Sequence, residues 1–150
     1  MKRIIKHTYF FAHPPQIVWD YLTKPDLMAL WLMKNNFKPE VGTKFQFTTG
    51  AKPAINFDGV FHCEVLTVNP FTKLSYSWDC GPGNGVINLE SVVLWQLQPK
   101  ENGTEVLLEH SGFERDENLD LYNGLNHGWV EKFHNIEKLL TRPQHDTTNA

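Results

Sequence analysis

The sequence lacks any apolar run long enough to cross a bilayer, and its opening MKRIIKHTYFF has neither the apolar core nor the cleavage site of a secretory signal. A cytoplasmic protein with no membrane span is the expectation. Basic residues are not in excess: 14 Lys and Arg face 17 Asp and Glu, for a net charge of -3 and a pI near 6.1. That balance argues against a nucleic-acid partner. Only two cysteines occur, Cys63 and Cys80, in no CxxC or Cys/His spacing. A zinc site or disulfide framework has little support, and two reduced thiols are expected. Also missing are the nucleophile elbow G-x-S-x-G, a P-loop, a dinucleotide fingerprint, H-E-x-x-H, any internal repeat and any low-complexity tract. No cofactor and no metal are implied.

What the chain has in quantity is aromatic side chains, 13% of its residues, with five Trp and ten Phe. Rings in that number either fill a core or line a cavity. One segment organises them. From Leu119 to Leu140, apolar residues recur at Leu121, Leu125, Trp129, Phe133, Ile136 and Leu140, in steps of three and four that form one stripe on an α-helix. Asn118 or Asp120 can cap its start, and Pro143 limits its end. Gly124 and Gly128 each weaken it by roughly 1 kcal/mol relative to Ala.

Ahead of this helix the pattern is different. Residues 3–12 alternate as a strand with two partly buried faces. Pro14 and Pro15 fit the first turn of a short helix whose buried face carries Ile17, Val18, Tyr21 and Leu22. Pro25 starts a second, carrying Leu27, Leu30 and Trp31. From Pro39 onward the period is two. Strands are expected from Val41 to Thr48, Gly59 to Val68, Leu74 to Asp79, Val86 or Ile87 to Leu97, and Thr104 to Gly112, separated by loops at 50–58 and 80–85 and a hairpin turn at Glu101-Asn102-Gly103. Strands in series joined by short turns imply an antiparallel meander. The fold class is α+β: a curved antiparallel sheet of about six strands wrapped around the long C-terminal helix. At 150 residues this is one domain, 1–141, with a flexible polar tail at 142–150.

Strand parity sends Phe45, Phe47, Phe61, Tyr76, Trp78, Trp95 and His110 to one face, opposite Trp129 and Phe133 of the helix, with Trp31 where the short helices meet the sheet. If these rings leave room, the result is an apolar pocket with a few polar fixtures, among them Tyr76, His110 and Asn126. His110 is the most suggestive single residue, although a core histidine satisfied by its neighbours is the plainer reading. Glu109 points to the opposite face and cannot form a dyad with it. His127 and His134 read as surface residues without a carboxylate to complete a metal set. Cys63 reads as an inert buried thiol.

The sequence also resembles a known family. A Val18-Trp19 pair in the first helix, an L-x-x-W-like step at Met28-Ala29-Leu30-Trp31, and G-x-x-F-x-F at Gly42 to Phe47 come first. Then follow a strand from Gly59 ending in Asn69-Pro70, L-x-Y-x-W at Leu74 to Trp78, G-T-x-V-x-L-x-H-x-G-F at Gly103 to Phe113, and Gly128-Trp129. In this order they resemble the START-like (SRPBCC) superfamily, and within it homologues of the activator of the ninety-kDa heat-shock protein's ATPase. The resemblance covers about residues 4–141. It implies the helix-grip fold, whose members bind lipids, sterols, polyketides or plant aromatics, some of them acting as cyclases or dehydratases. The eukaryotic activators carry a second, chaperone-docking domain that has no counterpart in these residues.

Three functions follow in order. The first is a binding protein for a hydrophobic or aromatic small molecule (lipid, sterol, flavonoid or polyketide-like) held by the eleven residues Trp31, Phe45, Phe47, Phe61, Tyr76, Trp78, Trp95, His110, Asn126, Trp129 and Phe133. The second is a stress-related interaction module with a chaperone or other protein partner. The third is a cyclase or dehydratase using His110, which lacks a second titratable group and so places catalysis last.

Overall fold

The computed structural model describes residues 3–141. The tail expected at 142–150, and with it Pro143, lies outside the described residues. Strand β1 (Ile4–Phe11) leads into helices α1 (Pro15–Thr23) and α2 (Pro25–Trp31). Strands β2 (Lys34–Asn35), β3 (Lys44–Thr48), β4 (Val60–Asn69), β5 (Lys73–Cys80), β6 (Leu89–Lys100) and β7 (Gly103–Ser111) follow, and helix α3 (Leu119–Leu140) closes the chain. All strand pairs are antiparallel, in the order β1-β7-β6-β5-β4-β3-β2. This is a meander whose first strand swings round to pair with the last. The sheet curls as a half-barrel around α3, the helix-grip arrangement.

Local chemistry explains the breaks. Pro15 stands at the first turn of α1, and Lys24 is extended (φ -97, ψ 120) because Pro25 follows and opens α2. Glu101 and Asn102 form the β6–β7 turn, and Asn102 takes a φ of 66, a left-handed value that Asn tolerates. At the end of β7, Gly112 adopts φ +119, and a Cβ there would stand 2.5 Å from the Glu90 carbonyl oxygen. Only glycine lets the chain leave the sheet this close to β6.

Several expectations need correction. The sheet has seven strands, because Lys34–Asn35 add a short edge that two residues without periodicity do not announce. Strand β1 buries one face only: Ile5 and Phe11 are covered while Ile4 and Phe10 are exposed. Like the other strands, it packs against the helices on its concave side and faces solvent on the other. Ile17 and Leu30 are exposed, at 40% and 59%, since the short helices turn Val18, Tyr21, Leu22, Met28 and Trp31 inward. Cys80, expected in a loop, is the last residue of β5, and β6 starts at Leu89 rather than at Val86 or Ile87. Helix α3 has its expected bounds, but no side chain caps it. The Asn118 amide instead donates to the Asn88 carbonyl oxygen at 3.1 Å, tying the start of α3 to the strand β6 approach.

Candidate functional site

The inward face of the sheet is set by period-two placement on four adjacent strands. Phe45 and Phe47 of β3, Phe61 of β4, Tyr76 and Trp78 of β5, and Trp95 of β6 are all buried. Their rings touch in series. Phe45 and Tyr76 have centroids 5.4 Å apart, Phe47 and Trp78 5.1 Å, Phe61 and Trp78 4.4 Å. Helix α3 completes the set: Trp129 lies 5.5 Å from Trp78 and 5.5 Å edge-on from Trp95, and Phe133 lies 5.8 Å from Trp95. Trp31 meets Trp95 edge-on at 5.9 Å, and its indole N–H donates to the Tyr21 carbonyl oxygen at 2.7 Å. Ten of the eleven predicted site residues thus form one connected cluster. Asn126 stands apart on α3, half-buried, its carbonyl accepting from His7 Nε2 of β1 at 3.0 Å.

His110 is at the centre of the polar part of this cluster. The Trp129 indole can only donate, so His110 Nδ1 accepts from it at 3.1 Å. A neutral ring then carries its proton on Nε2, which donates to Ser91 Oγ at 2.9 Å, and Ser91 in turn donates to the Trp78 carbonyl oxygen. Burial holds the imidazole well below its ordinary range, at about 3, so it stays neutral. Both ring nitrogens are engaged within the fold. Acid–base chemistry would need one of them free, and no Asp, Glu, Lys or Arg is buried among the described residues.

Two donors in the same cluster remain available. The Trp78 indole N–H is buried and has no hydrogen-bond partner among the described residues. The Tyr76 hydroxyl accepts from Trp95 Nε1 at 3.0 Å and, among the described residues, its own O–H has no acceptor. Burial also raises the Tyr76 phenol far above its usual range, so it keeps its proton. The thiols are inert for the same reason: burial pushes Cys80 up to about 12 and Cys63 higher still. His127 and His134 are exposed on α3.

Helix α3 is seated unevenly over these rings. Its second half buries Trp129, Phe133, Ile136, Leu139 and Leu140. In its first half the stripe residues Leu121 and Leu125, and Tyr122 beside them, are only half-buried. At the first turn of that half is a small, largely polar recess of about 100 Å³, walled by Cys80, Asn88, Glu117, Asn118, Asp120 and Leu121 among others, and none of the eleven predicted residues lines it. The exposed apolar residues Val86, Ile87 and Leu119 belong to the segments that flank it. Larger hollows of about 470 and 510 Å³ lie on the outer face of the sheet, away from the rings.

Residues missed by sequence reasoning belong to this site too. Ser91 shares parity with Val93 and Trp95, so the strand pattern could have found it. Phe37, 4.9 Å from Phe45, and Phe113, 4.8 Å from the His110 ring, lie outside the strands and carry no periodic signal.

Residues 12–141 match the family model described as Activator of Hsp90 ATPase homolog 1-like protein. Protein MLL2253 from Mesorhizobium loti is 38% identical, with a TM-score of 0.83 over 94% of this chain and 98% of that one. The Aha1 dimer from Colwellia psychrerythraea is similar in fold at 20% identity, with a TM-score of 0.71 over 90% of this chain and 93% of that one. CalU16 from Micromonospora echinospora is similar in fold at 20% identity, with a TM-score of 0.71 over 96% and 79%. No curated protein matches the chain.

Proposed function

Since the chain belongs to the Activator of Hsp90 ATPase homolog 1-like protein family, we propose that it binds a hydrophobic or aromatic small molecule among the rings between sheet and α3. The lipid, sterol, flavonoid and polyketide-like classes are the candidates, and the cytoplasm is the proposed place of action. The observation that carries this reading is the division of α3. One half is locked into the aromatic cluster, and the other is only half-buried, with a small recess at its first turn.

The reading has a physical requirement. A drug-sized ligand needs a pocket of about 300 Å³ or more, and the recess offers about 100 Å³. The amino-terminal half of α3 must therefore lift to admit one. Gly124 and Gly128 suit that motion: glycine lowers helix stability, and apart from the helix's own neighbouring backbone no atom lies within 4 Å of where a Cβ would stand at either position. Replacing both by Ala should add up to about 2 kcal/mol of stability without a clash. The same change should slow ligand association, read by stopped-flow Trp fluorescence. Association as fast as in the parent protein would remove the lifting motion from the account.

The direct test is a thermal-shift panel of fatty acids, sterols, flavonoids and polyketide-like aromatics. A ligand at a hundred times its dissociation constant contributes about 2.7 kcal/mol, equivalent to roughly 5–10 °C in a domain of this size. A shift confined to one class is the expected result. No shift across the panel would leave the rings as packing and favour the chaperone-associated interaction module instead.

A further inference from the structure

We infer that the interior selects neutral ligands that carry a hydrogen-bond acceptor oxygen, such as ring ketones, quinones or esters, over both plain hydrocarbons and free carboxylates. This deepens the proposed function and rests on it. Tyr76 and Trp78 occupy successive inward positions of β5, with ring centroids 6.4 Å apart in a stacked arrangement. Each brings a donor that no described residue uses, the Tyr76 O–H and the Trp78 Nε1–H. A buried donor without a partner destabilises the state that contains it, so an arriving acceptor gains more here than at the surface.

The donors alone would also accept a carboxylate. Its exclusion comes from what surrounds them. Among the described residues the buried polar ones are Thr23, Ser75, Ser91, Thr104, His110 and Asn118, with no Lys or Arg. His110, among the described residues the one buried group able to become cationic, has Nδ1 occupied by Trp129 and Nε2 facing Ser91. A carboxylate would lose its hydration and meet only neutral donors, which does not compensate a full charge in an apolar site. A hydrocarbon would fit the rings and leave both donors unpaired. A neutral acceptor meets neither objection.

Three probes of one ring system separate the cases: 2-acetylnaphthalene, naphthalene and 2-naphthoate at pH 7, titrated calorimetrically against the full chain. The ketone should bind at least about tenfold more tightly than naphthalene, the value of one added hydrogen bond. It should exceed the naphthoate by at least about a hundredfold. Tyr76→Phe and Trp78→Phe, each checked for an unchanged unfolding transition, should reduce the ratio of ketone to naphthalene affinity measured within the same variant, whatever happens to naphthalene binding itself. If one variant unfolds, the other still decides. Equal affinity of ketone and hydrocarbon, or a naphthoate as tight as the ketone, would overturn the inference while leaving interior binding intact. Failure of all three probes to bind would count against the proposed function as well.

Discussion

Lowering the pH below 6.5 is expected to destabilise this protein through His110 alone by about 3 kcal/mol at pH 4.5. The side chain is fully buried and its pKa is held at about 3, against an ordinary value of 6.5. Between these values the unfolded chain binds a proton at this residue and the folded chain does not. Stability therefore falls as the pH drops through that window, and it is fully present above 6.5. Carboxylates contribute their own acid dependence, so the comparison has to be internal. Urea unfolding at several pH values should show the dependence in His110→Gln shallower by close to one proton between pH 6.5 and 4, whatever the variant's absolute stability. Identical slopes would mean that His110 is protonated in the folded state. The neutral relay from Trp129 through His110 to Ser91 would then be wrong.

Trp129→Ala is expected to cost about 3–5 kcal/mol, a large share of the stability of a domain. Trp129 is buried against Trp78, Trp95 and His110, and its indole N–H supplies the partner of His110 Nδ1. Truncation removes the ring from the middle of the cluster and leaves a buried acceptor unpaired. The midpoint of thermal unfolding should fall by roughly 10–15 °C. Trp129→Phe keeps most of the volume and loses only the donor, so its cost should be about 1–2 kcal/mol. An alanine variant within 1 kcal/mol of the parent in urea unfolding would show that the second half of α3 is not the anchor described here.

The two residues also show what a sequence can reveal. Trp129 was legible because helical spacing places it in line with Phe133 and Ile136, and His110 because it alternates in step with Val106 and Leu108. The parity of β3 to β6 likewise assembles Phe45, Phe47, Phe61, Tyr76, Trp78 and Trp95 on one face. Periodicity identifies the face of an element, however, and not what stands opposite that face. Leu121 and Leu125 continue the same stripe as Trp129, yet they pack against the core from one side only and stay half-buried. Ile17 and Leu30 fit helical patterns and still face solvent, since the inward faces of the two short helices are taken by Val18, Tyr21 and Leu22 and by Met28 and Trp31. Asn118 has the right identity and place for a cap, but its side chain makes no cap bond, and its Nδ2 donates across to the Asn88 carbonyl. How fully ten rings fill a space depends on their mutual angles, which no composition encodes.

The donors left over by that filling give the most direct test of where a ligand goes. Each of the five Trp residues contributes one indole N–H resonance to a proton–nitrogen correlation spectrum, and Trp78→Phe identifies the one from Trp78. Titration with 2-acetylnaphthalene should move the Trp78 resonance furthest, with a smaller change at Trp129, as the unpaired donor acquires an acceptor. A compound that stabilises the protein while leaving both resonances in place would bind outside the ring cluster, and the account of an interior site would be wrong.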